Sequence, residues 1–208
     1  MSTVASPPPR ARSCNKGRRL PAEVLTKEEV LSLMEACSKR APTGKRDRAL
    51  ICLMWRGQLR VSEALRLKPG DVDLETGSVR VLFGKAGRSR TVGIDAKCCA
   101  VIGVWLEARA RIDGISGHKP LFCTLQGGRM STAQMREKLP RLGKKAGITK
   151  RVHAHGLRHT GASELVEEGA SLLEIQEQLG HSSAATTDRY LKQINPKARL
   201  ERMRSREW

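Results

Sequence analysis

The sequence predicts an α+β fold: a mainly helical domain carrying one small three-stranded antiparallel sheet. Two observations lead there. Apolar residues recur at helical spacing through most of the chain, and only between about residues 72 and 94 does the period switch to two. A length of 208 residues is enough to bury a sizeable core and fits one domain with short appendages.

The elements follow in order. Residues 1–20 carry Arg10, Arg12, Lys16, Arg18 and Arg19, no acid, and the run Pro7-Pro8-Pro9, which predicts a disordered basic arm. The ordered domain is expected over 21–195, beginning near Leu25. Thr26-Lys-Glu-Glu29 is a capping box, and Val30, Leu33, Met34 and Cys37 mark the inner face of a first helix. A second apolar helix is expected from Arg46 and ends at Gly57. A third, from Ser62 to Leu67, is stopped by Pro69. Strands follow at Val72–Leu74, at Val79, Val81 and Phe83, and at Thr91–Ile94, with turns at Glu75-Thr-Gly77 and in the Gly-rich stretch around Lys85. Helices resume at Cys98–Ala110, Thr132–Leu142, Arg158–Glu167, Leu172–Gln178 and Thr186–Gln193, and a basic tail covers 196–208.

Charge narrows the function. A formal net charge of +18 on a chain this size points to a polyanionic partner. No apolar run approaches the roughly 18 residues that span a bilayer, so the partner is nucleic acid, with no membrane. The six aromatic residues are scattered rather than clustered into stacking platforms, which favours double-stranded DNA held through its phosphates. Six cysteines without C-x-x-C spacing read as small buried hydrophobes in a reducing cytoplasm. The opening residues lack a secretory pattern, and a cytoplasmic, nucleoid-associated protein is expected. The histidines 153, 155 and 159 suggest ligands at first sight. Their H-x-H spacing suits a strand better than the expected helix start, no cysteine or acid joins them, and neither a metal nor another cofactor is expected.

Four short segments carry chemistry: Gly57-Gln-Leu-Arg60-Val-Ser-Glu63, Gly84-Lys85, His155-Gly-Leu-Arg158-His159, and Leu179-Gly180-His181 with Tyr190 nine residues on. A phosphodiester resists attack because its charge repels nucleophiles and its alkoxide leaves poorly. Arginines such as Arg60 and Arg158 can fork onto its oxygens without losing charge. Lys85, in a turn between strands, suits a general acid, and His155 and His181 suit a base and a phosphate contact. Tyr190 is the chain's only tyrosine and the nucleophile candidate. The stretch from Lys138 to Ser163 holds no acid, and Arg141, Lys144, Lys145, Lys150 and Arg151 in it, with Arg88 and Arg90 near the hairpin, are the expected DNA contacts.

This ordered set resembles the tyrosine recombinase (phage integrase) family over about residues 20–195. Arg60, Lys85, His155, Arg158, His181 and Tyr190 each match a position of the family's active site, and Glu63 matches a supporting acid. The resemblance implies the tyrosine recombinase catalytic-domain fold and a 3′-phosphotyrosyl intermediate. It also implies a freed 5′-hydroxyl that attacks a partner strand, and a homotetramer on paired DNA sites in which C-terminal segments pack in trans. Most relatives carry a further N-terminal DNA clamp, and the short form here is similar to the fimbrial phase-variation invertases. A DNA-binding relative without strand exchange and a type IB topoisomerase-like enzyme are the alternatives.

Overall fold

The computed structural model describes residues 24–82, 89–181, 183–194 and 204. Helix α1 (Lys27–Glu35) leads to α2 (Pro42–Arg56), the single turn α3 (Val61–Ala64) and a 3₁₀ turn at Pro69–Asp71. Strands β1 (Val72–Asp73), β2 (Ser78–Val81) and β3 (Arg90–Gly93) follow, then α4 (Ala96–Ala110), α5 (Thr132–Lys145), α6 (Ala154–Glu167), α7 (Leu172–Leu179) and α8 (Ala184–Ile194). The mainly helical fold with one antiparallel sheet, ordered β1-β2-β3, is the one the sequence predicts.

Helix α2 is the centre of the molecule. Every residue from Ala49 to Trp55 is buried, the signature of a helix covered on all sides. It packs against α4 and α6, and Trp105 of α4 lies wholly inside, its indole donating to the Leu121 carbonyl at 2.9 Å. The sheet covers one edge of this core with Val79, Val81 and Val92, and Val79 pairs with Val92 in register.

Several boundaries differ from the expectation, each for a local reason. Helix α2 starts at Pro42 rather than Arg46, because proline at the first helical position loses no hydrogen bond. Arg46 is therefore inside the helix, buried against Asp47 and the Cys123 carbonyl. Helix α6 opens at Ala154, four residues before Arg158, which puts His155 and Arg158 on one helix. Helix α3 is one turn only, and Leu74 leaves the sheet to stand 36% exposed. Phe83, expected to extend the second strand, lies outside the described residues. Cys37, Cys52, Cys98, Cys99 and Cys123 are free and buried, as expected for small hydrophobes.

A smaller apolar cluster sits beside the main core. Ala162, Ile175 and Leu179 form it, and Tyr190 and Leu191 of α8 pack on its rim. The active-site candidates collect at this seam.

Candidate active site

Helix α6 supplies three of the groups. His155, Arg158 and His159 follow at i, i+3 and i+4, so they share one face. Arg158 turns inward and is 1% exposed, with Nη1 donating to the Gln58 carbonyl and Nη2 to the Leu179 carbonyl at 2.6 Å. One guanidinium thus joins the α2–α3 turn to the end of α7. Its burial, with the charge of Arg60 nearby, lowers its pKa to about 10.

Two backbone features allow that bridge. Gln58 adopts φ 46°, a left-handed conformation costly for a residue with a side chain, while its amide donates to the Trp55 carbonyl at 3.1 Å. On α6, a Cβ at Gly161 would lie 2.0 Å from the Trp55 carbonyl oxygen. Glycine there lets α6 close on the turn and brings Arg158 within reach of Gln58.

Arg60 precedes α3, and Glu63 holds it twice. The Glu63 carboxylate accepts from the Arg60 backbone N–H at 2.9 Å and from Arg60 Nη1 at 2.7 Å. Its other partner is Arg90, whose Nη1 and Nη2 reach it at 3.2 and 3.0 Å. Burial pushes the Glu63 pKa up, but the hydrogen bonds and charges of the two arginines outweigh it and leave about 2. Glu63 is therefore an anchored anion that orients both cations.

This corrects one expectation. Arg90 is no open phosphate contact: its side chain is 13% exposed, clamped on Glu63, with Nε turned to the Gln178 carbonyl at 3.4 Å. The acid-free stretch is likewise not acid-free in space. Lys138 pairs with Asp47, Lys150 with Glu29 and the Val24 carbonyl, and Lys145 reaches the Ala36 carbonyl. Arg141 stays exposed beside Glu137, and Lys144 and Arg151 are exposed on α5 and the loop after it. Lys85 and Arg88 lie outside the described residues.

The Leu179-Gly180-His181 segment ends α7. Gly180 is left-handed at φ 62°, and a Cβ there would come within 2.8 Å of the Arg90 guanidinium, so both conformation and space require glycine. His181 is then fixed from two sides. Gln176 holds its backbone, accepting from His181 N–H and donating to its carbonyl, each at 3.1 Å. Its ring sits between Arg158 Nη2, 3.4 Å from Nε2, and the Thr187 hydroxyl, 3.1 Å from Nδ1. Burial first, then the charges of Arg158 and Arg60, push the His181 pKa down to about 4.

Tyr190 of α8 completes the group. Its ring stacks on His159 at 4.9 Å and meets His181 edge-on at 5.3 Å, with His155 at 6.4 Å. The phenol oxygen is buried, with the Arg158 guanidinium beside it. Burial raises its pKa to about 12, although the Arg158 and Arg60 charges pull the other way. His155 and His159 are also shifted down by burial and by neighbouring cations, His159 to about 3.

The fold thus brings together Arg60, Glu63, His155, Arg158, His181 and Tyr190 from three helices and the α2–α3 and α7–α8 turns. Sequence reasoning missed the part played by His159, though its spacing from His155 placed it on the same helical face. It also missed Gln58 and read Arg90 as a DNA contact, since their parts depend on a turn conformation and a buried ion pair that no local pattern announces.

The family model described as Phage integrase family matches residues 23–195. The chain belongs to the phage integrase family. Tyrosine recombinase XerC of Xanthomonas campestris pv. campestris (strain B100) is 37% identical over 187 residues, covering 90% of this chain and 56% of the relative. Tyrosine recombinase XerD of Bifidobacterium longum (strain NCC 2705) is 35% identical over 195 residues, covering 89% and 63%. Among solved structures, XerA recombinase superposes with a TM-score of 0.78 at 31% identity, over 93% of this chain and 68% of that one. XerH, bound to a palindromic difH substrate in a post-cleavage complex, gives 0.72 at 30% identity, over 89% and 53%. This integrase-family chain spans little more than half the length of the XerC relatives it matches.

Proposed function

We propose that this chain is a site-specific recombinase that cuts and rejoins double-stranded DNA through a 3′-phosphotyrosyl intermediate on Tyr190. The Tyr190 oxygen attacks the phosphorus, the bond to the 5′-oxygen breaks, and the phenolic proton leaves to His155 or His181. Lys85 supplies a proton to the departing 5′-oxygen. That 5′-hydroxyl later attacks the phosphotyrosine of a partner strand, releasing the tyrosine and restoring the phosphodiester. Arg60 and Arg158 fork onto the phosphate oxygens as charge redistributes, an effect commonly worth about 10²-fold or more per donor. The observation that carries this reading is the convergence of two arginines and three imidazoles on the chain's single tyrosine.

The basic arm over residues 1–20 tracks phosphates, Arg88, Arg141, Lys144 and Arg151 contact DNA, and the tail over 196–208 packs on a neighbouring protomer of a homotetramer. The setting is the cytoplasm, at the nucleoid, and no described helix is long and apolar enough to cross a membrane.

The test is covalent capture. A pool of nicked duplexes with a randomised core is incubated with the protein and denatured, and protein-bound strands are recovered. Recombinase chemistry gives an adduct that Tyr190→Phe abolishes. An adduct persisting in Tyr190→Phe overturns the assignment, and no adduct from the wild type means a DNA-binding relative without strand exchange. An adduct-forming enzyme that relaxes supercoils on one site alone would instead be topoisomerase-like.

A further inference from the structure

We propose that Thr187 is a positioning residue whose hydroxyl lets His181 exchange tautomers when a phosphate enters the site. The proposal rests on the recombinase reading above and adds a residue that no sequence motif marked.

The geometry begins with a donor that cannot accept. Arg158 Nη2 faces His181 Nε2 at 3.4 Å, and a guanidinium only donates, so Nε2 is the bare nitrogen in the free protein. The proton then lies on Nδ1, which donates to Thr187 Oγ1 at 3.1 Å. For His181 to steady a phosphate oxygen, Nε2 must itself carry a proton. A neutral ring can do this only as the other tautomer, whose Nδ1 is an acceptor: one proton leaves Nδ1 and one arrives at Nε2 through solvent.

A hydroxyl suits both states. It accepts from Nδ1–H in the first and, by rotating about its C–O bond, donates to bare Nδ1 in the second. A carboxylate or carbonyl at this position would hold only the first. Thr187 is wholly buried, so no bulk water can replace it, and a lost partner leaves Nδ1 unsatisfied. Burial and the adjacent arginines also keep His181 neutral near pH 7, with its pKa at about 4, so the exchange takes place between neutral forms.

The placement adds a coupling. Thr187 and Tyr190 are three residues apart on α8, so the helix that presents the nucleophile also presents the group that sets the histidine. The two should move into register together.

The test uses the full chain with ¹⁵N-labelled histidine, of which it has five residues. Long-range ¹H–¹⁵N spectra of the free protein should show His181 protonated on Nδ1. Cleavage of a captured nicked duplex by Thr187→Val should slow about 10- to 100-fold at unchanged DNA affinity, and Thr187→Ser should recover most of that rate. An Nε2–H ring in the free wild type, or a Thr187→Val protein that cleaves at the wild-type rate, overturns the proposal while leaving Tyr190 chemistry intact. A rate loss in Val and Ser alike would make Thr187 a packing residue only and overturn it too. Absence of any wild-type adduct would instead remove the recombinase reading, and this proposal with it.

Discussion

At Tyr190 two opposing fields meet. Burial penalises the phenolate, while Arg158 and Arg60 favour it, and burial prevails. The free protein therefore holds a protonated tyrosine, and under the proposed mechanism it becomes a nucleophile only once a phosphate and a proton acceptor are in place. Because the chain has one tyrosine, tyrosinate absorbance near 295 nm reports this residue alone. The folded protein should show no tyrosinate at pH 10, where half of a free phenol is ionised, with titration centred near 12. Denaturant should bring the midpoint down to about 10. A folded-state midpoint at or below 10 would mean that the cations, not the buried setting, control the phenol. At this scale the sequence was legible for which residues gather, since Tyr190, Arg158 and His181 meet as their motifs suggested. It was not legible for Arg90, which resembles any hairpin cation until Glu63 is seen beneath it.

Helices are placed by what their surfaces allow. The approach of α6 to α2 depends on a missing side chain at Gly161, and through that approach Arg158 reaches Gln58 and Leu179. In an exposed helix, Gly→Ala would add about 1 kcal/mol of stability. Here the added methyl would meet a backbone oxygen at 2.0 Å, so the sign should reverse. Gly161→Ala should lose about 2 kcal/mol or more in urea unfolding and cleave DNA poorly even where it remains folded, since Arg158 is displaced. A stabilised and active variant would show that α6 can shift without cost. Helix and strand types were legible from periodicity, as in α1 with its capping box and β2 with its alternating valines. The exceptions lay where tertiary contacts decide: α6 begins at Ala154, four residues ahead of the expected start at Arg158.

For the whole molecule, a net charge of +18 should make the proposed DNA association strongly salt-dependent. Several cations expected at the interface are already paired in the free protein, Lys138 and Lys150 among them. A larger share of the phosphate contacts should then fall to the arm. Each neutralised phosphate contributes about 0.9 to the slope of log affinity against log salt, so deleting residues 1–19 should flatten that slope by a few units. Anisotropy titrations at several salt concentrations measure it, and an unchanged slope would make the arm a bystander. Charge and composition thus pointed to the proposed partner class, while the pairing of Lys138 and Lys150 within the protein needed three dimensions.

One side-chain amide has a reach beyond the active site. Gln178 of α7 pairs with Gly93 of β3 in both directions, donating to its carbonyl at 2.8 Å and accepting from its N–H at 3.0 Å. That is the hydrogen-bond pattern of a neighbouring strand, supplied by one glutamine. Strand β3 is one of the two edge strands of the sheet, a place where a foreign strand could zip on and seed aggregation. Gln178 occupies that position as a terminating rung, so crowded copies of this protein find no ladder to extend at Gly93.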